Sequence, residues 1–371
     1  MCRITLIAGA RPNFMKIAPI LHAIEAAKEQ GRTIEYRLVH TGQHYDHNMS
    51  ESFFEQLQIP EPHVNLECHG GTQAEQTAAI LVAFEKDLQE HPAEVVLVVG
   101  DVTSTMACAL VAQKLHTKVA HVEAGIRSGD WTMPEEINRL VTDSITNYFF
   151  TTSELANANL LKSGVDPNAI FYVGNTMIDT LLKHKPYFKT PAFWEDKGLE
   201  PQNYLVLTLH RPANVDQEAQ LKAMLDALLA HSRNLPIIFP VHPRTAKILE
   251  GLDIKHPQLH LVPPLSYLEF NYLVQHAKAV VTDSGGITEE ASVMGVPCMT
   301  LRDTTERPET ITLGTNELVG TNPKHLKPFM DILFKGDWKE GRPIPMWDGK
   351  TAKRIVDILL ELQSRQDLGN L

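Results

Sequence analysis

Short runs of β-branched and aliphatic residues alternate along this chain with longer stretches whose apolar positions recur every three or four residues. The first pattern marks strands and the second amphipathic helices. In the first half the strand pattern falls on residues 4–8, 35–40, 95–99, 119–122, 148–151 and 170–173, with helical spacing over 17–30, 72–89 and 103–115. The second half repeats the rhythm: strands over 204–209, 237–241, 259–262, 279–282 and 296–301, with helices such as 217–230 between them. Further helices are predicted at 177–182, 326–334 and 351–363. Strands separated by helices build βαβ units and parallel sheets. Two such halves predict an α/β protein of two Rossmann-like, doubly wound domains.

The join is expected within residues 174–201, where a helical pattern runs into a stretch rich in proline and aromatic residues. No low-complexity linker separates the halves, so the two domains are expected to face each other across a cleft. The predicted division is 1–174, completed by a C-terminal helix over 352–371, and 175–351. In open α/β sheets, ligands sit beyond the carboxyl ends of the strands. The polar segments of this chain follow its strands: 9–16, 41–46, 100–105, 123–127, 210–214, 242–244 and 283–290.

Composition narrows the class. The chain has 371 residues, 43% of them hydrophobic and 21% charged, which is ordinary for a globular protein with two sizeable cores. A formal net charge of −11 argues against nucleic acid as the main partner, so an anionic ligand would need a locally built site. The four cysteines, Cys2, Cys68, Cys108 and Cys298, form no CxxC pair; three sit beside apolar or small residues and read as reduced packing residues. The apolar run between Arg3 and Arg11 is too short for a signal peptide, and no stretch approaches the roughly 20 residues needed to span a bilayer. The expectation is a cytoplasmic protein with no membrane partner.

The chemistry begins at residues 283–309. Asp283-Ser284-Gly285-Gly286 follows the strand at 279–282 and precedes a helical run. A helix start offers unpaired amides and a positive dipole, which suits a phosphate or pyrophosphate. Glu289 and Glu290 follow, then an arginine-bearing segment, Arg302 to Glu309. At the first strand-to-helix turn, Arg11 and Lys16 flank Pro12 and read as phosphate cations or as a solvated basic turn. Asp101 and Glu123 follow neighbouring strands, which can gather two carboxylates for proton transfer. The competing reading makes Asp101 a helix cap. Glu135 stands in the first turn of a helix after Pro134, or belongs to a surface ladder with Arg139 and Asp143. His210 and Arg211 follow the buried run 204–209, where a histidine can serve a leaving phosphate or be satisfied by backbone, and His242-Pro243-Arg244 repeats that arrangement. No GxGxxG or HExxH motif occurs, and the seventeen histidines show no metal-ligand spacing beyond His44 and His47. No metal site and no cofactor are expected.

In combination these segments carry a family resemblance. GARPNFMKIAP, TGQHYD, GDVTST, HVEAGIRSG, PEEINR, GNTMID, HRPANV, PVHPRT, DSGGITEEA, RDTTERPE and LVGT occur in this order. From Gly9 to about Ile355 the chain resembles the non-hydrolysing UDP-N-acetylglucosamine 2-epimerases, which have the two-domain GT-B fold. The resemblance implies inversion at C2 of a UDP-linked 2-acetamido sugar, with UDP-GlcNAc and UDP-ManNAc interconverted through a 2-acetamidoglucal held with UDP. By motif position, Asp101, Glu123 and Glu135 are implied as acid and base, and His210 as the residue serving the departing phosphate. Arg11, Lys16, Phe270, Ser284, Gly285, Gly286, Glu290 and Arg307 are implied as UDP contacts, with Phe270 near uracil and Glu290 on the ribose hydroxyls. Gln43, His44, Arg211 and His242 resemble an activating second UDP-sugar site. The family also implies a homodimer and a place in cell-surface polysaccharide synthesis.

Three departures from the family pattern stand out. Asn13 replaces a glutamate, Pro212-Ala213 replaces a polar pair, and residues 68–71 supply no arginine to the activating site. The alternatives left open are a UDP-2,3-diacetamido uronate as substrate, a hydrolysing epimerase, a GT-B glycosyltransferase and a UDP-sugar sensor without turnover.

Overall fold

The computed structural model describes residues 2–42, 54, 56–241, 243–251, 254, 256–365 and 367–368. The chain divides into two compact units, one of Met1–Thr180 with Pro345–Leu371 and one of Leu181–Ile344.

The first unit is built on seven strands: β1 (Cys2–Ala8), β2 (Ile34–His40), β3 (Val64–Asn65), β4 (Val95–Val99), β5 (Lys118–Val122), β6 (Tyr148–Thr151) and β7 (Ile170–Tyr172). They lie in the order β3-β2-β1-β4-β5-β6-β7, and every pairing is parallel. The direction of winding reverses between β1 and β4, which makes the carboxyl ends of those strands the place for a ligand. β4 is buried along its whole length, as an uninterrupted Val/Leu run in a sheet covered on both faces should be.

Helices flank this sheet where the periodicity predicts them. The Gln73–Glu90 helix starts at a capping box in which Thr72 and Glu75 satisfy each other's backbone amides. The Arg11–Glu29 helix begins six residues before the start predicted at residue 17, opening on the polar and proline residues Arg11, Pro12 and Asn13 ahead of buried Phe14 and Met15. Pro12 presets the φ of that turn, and Asn13 Oδ1 accepts the amides of Gly9 and Ala10 at 3.2 and 2.9 Å.

The second unit has six strands: β8 (Leu205–Thr208), β9 (Ile237–Pro240), β10 (Leu259–Val262), β11 (Ala279–Thr282), β12 (Cys298–Thr300) and β13 (Asn316–Leu318). Their order is β10-β9-β8-β11-β12-β13, again all parallel, with the reversal between β8 and β11. Alternate residues feed two cores, as the period of two requires. Leu205, Leu207, Val281 and Met299 face one core, and Tyr204, Val206, Val280 and Cys298 face the other. β3 and β13 are too short to register as apolar runs, which is why the sequence pattern passes over both edge strands.

The last helix, Thr351–Ser364, belongs to the first unit. Asp179 accepts the amides of Thr351 and Ala352 at 3.1 and 2.7 Å, and Trp347 Nε1 donates to the Thr152 carbonyl at 3.0 Å. Among the described residues, no helix is long and apolar enough to cross a membrane.

Candidate active site

In the first unit, parallel pairing aligns Val99 of β4 with Val122 of β5, so the polar turns that follow are neighbours. The Gly100 amide donates to the Val122 carbonyl at 3.0 Å. Asp101 and Glu123 extend from these two turns, and each carboxylate meets its own cation. Arg139 grips Asp101 Oδ2 through Nε and Nη2 at 3.1 and 2.6 Å. Lys16 Nζ lies 2.8 Å from Glu123 Oε2. Burying a charge is costly unless it is paired and hydrogen-bonded, and both conditions are met here.

Two of the competing readings fail on this geometry. Asp101 does not cap the Thr103–Lys114 helix; Val102 holds that position and no side chain bonds there. The ladder through Glu135 does not form either. Arg139 turns instead to Asp101 and to Glu136, whose Oε2 is 2.7 Å from Nη1. Asp143 pairs with His121 and Arg127. Glu136 takes the structural role, accepting the amides of Ser128 and Gly129 at 2.9 and 3.0 Å. Burial would raise its carboxyl, yet those amides and Arg139 hold it below the ordinary value. Glu135, one residue earlier on the Pro134–Ser144 helix, is left half-buried and uncommitted to these pairs.

The backbone of this turn is unusual. Glu123 has φ +72°, a left-handed conformation that a non-glycine residue holds only when its surroundings fix it. Gly100 has φ +73°, and a Cβ there would come within 3.3 Å of Lys16 Nζ. Gly125 has φ +78°, and a Cβ there would lie 2.4 Å from the Ala156 carbonyl oxygen, so only glycine fits.

The second unit supplies a different set of groups at the ends of β8 and β11. Asp283 is fully buried and accepts from the amides of His210 and Arg211 and from Asn214 Nδ2, at 3.1, 2.9 and 3.0 Å. His210 Nδ1 stands 2.7 Å from Asp283 Oδ1, although the histidine side chain itself is 61% exposed. Burial would push Asp283 up, but His210, Asn214 and the Arg211 amide hold it below the usual carboxylate range. An imidazole whose Nδ1 is engaged by a carboxylate has its orientation fixed, and Nε2 is left for a ligand.

Immediately beyond Asp283, Ser284 occupies the N-cap position of the Gly285–Met294 helix with no side-chain bond to the helix. Its amide donates to Thr282 Oγ1 at 3.0 Å. The Ser284 hydroxyl and the amides of Gly285 and Gly286 thus stand together at a helix start.

Further along that helix, Glu290 is buried and accepts a hydrogen bond from the Tyr267 hydroxyl at 2.8 Å. Burial pushes its carboxyl up to about 7, with Glu289 adding to the rise, against the hydrogen bonds from Tyr267 and Asn271. Arg307 is buried against Glu289, and Arg302 meets Glu306 in a two-pronged pair at 2.7 and 2.6 Å. Phe270, half-buried, packs against the core that contains Leu273 and Ala291. Arg211 donates through Nε to the Asp283 carbonyl at 3.1 Å.

Gln43, His44 and His242 lie outside the described residues, as does the side chain of Arg11. The remaining sequence candidates fall into two groups: Lys16, Asp101, Glu123 and Glu135 in the first unit, and His210, Arg211, Phe270, Ser284, Gly285, Gly286, Glu290 and Arg307 in the second. Sequence reasoning missed Asp283 as the hub beneath His210, Glu136 as the partner of Arg139, and Tyr267 as the partner of Glu290. It also missed His121. The Asp283 signal was available: β8 and β11 are neighbours in a 3-2-1-4 strand order, so the residues that follow them must meet.

Comparison with known proteins agrees with the resemblance. A family model described as UDP-N-acetylglucosamine 2-epimerase matches residues 26–360. A UDP-N-acetylglucosamine 2-epimerase of Methanocaldococcus jannaschii is 41% identical over 370 residues, covering 96% of this chain and 98% of the relative. A UDP-2,3-diacetamido-2,3-dideoxy-D-glucuronate 2-epimerase of Pseudomonas aeruginosa is also 41% identical, over 322 residues, covering 86% and 88%. Among solved structures, the M. jannaschii UDP-GlcNAc 2-epimerase in complex with UDP-GlcNAc and UDP superposes with a TM-score of 0.86 at 40% identity, covering 97% of this chain and 99% of that one.

Proposed function

The chain belongs to the UDP-N-acetylglucosamine 2-epimerase family, and on that basis we propose that it inverts C2 of UDP-N-acetylglucosamine by removing and returning a proton and UDP. The observation that carries this reading is the pair of cation-held carboxylates, Asp101 and Glu123, on neighbouring strand-end turns. Inversion requires a proton to leave one face of C2 and arrive on the other, so one acid–base group is not enough.

The step balances as follows. A carboxylate takes the C2 proton, the electron pair becomes the C1–C2 double bond, and the C1–O bond breaks with its pair going to UDP. The 2-acetamidoglucal and UDP then recombine, with a second carboxylate delivering the proton to the opposite face. Asp101, Glu123 and Glu135 are assigned to this traffic. His210 serves the departing phosphate oxygen through Nε2, backed by Asp283 on Nδ1.

Ser284 and the amides of Gly285 and Gly286 hold the diphosphate, Glu290 the ribose, Phe270 the base, and Arg11, Lys16 and Arg307 add positive charge. Lys16 has three donors, so its bond to Glu123 leaves two N–H groups for an anion. Retention of UDP matters as much as its departure, because the product needs it back. A second reading has a specific basis in the P. aeruginosa relative: a UDP-2,3-diacetamido uronate as substrate. The same proposal carries a cytoplasmic homodimer that supplies precursors for cell-surface polysaccharide.

Incubation with UDP-GlcNAc in D₂O tests the whole scheme. The expected result is deuterium at C2 of recovered substrate and formation of UDP-ManNAc, with no free UDP accumulating. Accumulating UDP would point to a hydrolysing enzyme. Exchange only with the diacetamido uronate would move the substrate, and no exchange with either sugar would end the epimerase reading.

A further inference from the structure

His121 lies at the end of β5, fully buried and two residues before Glu123. Its Nε2 is 2.8 Å from the Gly100 carbonyl, an obligate acceptor, so that nitrogen carries a proton and donates it. Its Nδ1 is hydrogen-bonded to Asp143 Oδ1 at 2.7 Å. The other oxygen of Asp143 accepts the Gly125 amide at 3.0 Å and Arg127 Nη1 at 2.6 Å. Burial would raise Asp143, but His121 and Arg127 hold it below the ordinary range. A single ring thus ties together the residue before Asp101 and, through Asp143, a residue two beyond Glu123.

That connection matters because the intervening backbone is strained. Glu123 sits at φ +72° between the two attachment points, and Asn159 Nδ2 holds the Gly125 carbonyl from the far side at 2.9 Å. Strained conformations persist where surrounding bonds over-determine them, and they cluster where a side chain must be aimed. An interior with fixed partners at both ring nitrogens also has little freedom to shift one turn against the other.

We propose that His121 and Asp143 are positioning residues for the reaction: as a buried pair they fix the spacing and direction of the Asp101 and Glu123 carboxylates. They touch no substrate and transfer no proton to it. Their contribution is alignment, and an error of about 1 Å in a reacting group can cost on the order of 10²-fold in rate. The inference rests on the reading of Asp101 and Glu123 as proton-transfer groups.

Two substitutions separate the arms of the pair. In His121→Asn the side-chain amide can take the place of Nδ1 and keep Asp143, while the bond to Gly100 is lost. In His121→Gln the longer amide can take the place of Nε2 and keep Gly100, while Asp143 is released. For folded protein, each variant is expected to lower kcat by roughly 10²-fold with KM and the UDP dissociation constant within about threefold of wild type. Deuterium exchange at C2 should fall in step with kcat.

A purely structural role would lower the folded fraction or the melting temperature and leave kcat per folded molecule unchanged. That outcome, or wild-type kcat in either folded variant, overturns the proposal. So does failure of both variants to fold, which would assign the pair to stability alone. If wild-type enzyme shows no C2 exchange with any tested UDP-sugar, the failure lies in the functional reading and not in the pair.

Discussion

At the scale of single residues, the two carboxylates at positions 283 and 290 show how burial can be turned in opposite directions. Asp283 is surrounded by donors and stays below the ordinary range, which suits a group that must hold an imidazole without competing for its proton. Glu290 has fewer donors and a carboxylate neighbour, and burial carries it from 4.5 to about 7. A folded-state value above the unfolded one means that the folded chain favours the protonated form. The stability this contributes is complete below about pH 4.5 and is lost as pH rises through about 7. At about pH 8 the fold therefore carries a charged, desolvated Glu290 at a cost.

Glu290→Gln removes that charge and can still accept from Tyr267. The variant should melt a few degrees higher than wild type near pH 8 and match it near pH 4, while binding UDP more weakly at the higher pH. Thermal scans at both pH values and calorimetric titration with UDP measure the two halves of the trade. Equal melting curves at both pH values would show that Glu290 is not the desolvated group described here.

At the scale of elements, the strand-to-helix turns are where the sequence was most and least readable. The alternation of apolar runs predicts nearly every strand, because a parallel sheet buried on both faces leaves an uninterrupted Val/Leu/Ile signature such as that of β4. It also predicts that polar residues follow those strands. It does not reveal which polar residue meets which. Asp283 and His210 lie 73 positions apart and are joined only by the adjacency of β8 and β11, so the hub read merely as the first residue of a glycine-rich turn. Arg139 was assigned by helical spacing to Glu135, yet it bonds Glu136, one residue over, because that side chain points inward. Local periodicity carries no information about such inward geometry.

The turn after β5 gives the element-scale prediction. Gly125→Ala places a Cβ 2.4 Å from the Ala156 carbonyl oxygen in a left-handed conformation, so the turn must shift. Because this turn also bears Glu123, the expected result is loss of activity well beyond the loss of stability. Chemical denaturation and steady-state rates on the same sample compare the two. Gly129→Ala is the control, since Gly129 also has a positive φ, +73°, but a Cβ there meets no atom within 4 Å. It should cost only the modest strain of its backbone.

At the scale of the whole molecule, the chain is not two sequential halves. Its first unit is interrupted by the second and completed by Pro345–Leu371, so the start of the last helix must find Asp179, 172 residues earlier in the chain. The device that secures it is compact. Asp179 accepts both first amides of the Thr351–Ser364 helix, which is also where a negative charge suits the helix dipole. Burial raises this carboxyl above its ordinary value despite those two amides, so the contact is made at some expense in desolvation.

Next to it, Gly174 has φ +105°, and a Cβ there would lie 2.1 Å from the Met346 carbonyl oxygen, so the returning segment passes directly over that backbone. Asp179→Ala would leave two buried amides without an acceptor, at about 1–3 kcal/mol each. Urea denaturation should therefore show a loss of roughly 2–6 kcal/mol. Asp179→Asn, which can still accept one of the two amides, should fall between this variant and wild type. Limited proteolysis adds position to the measurement: the first cuts in Asp179→Ala should fall within residues 345–350, ahead of the last helix. Early cuts within Leu181–Ile344 instead would show that the returning segment is held by its apolar contacts and that Asp179 is only an ordinary helix cap.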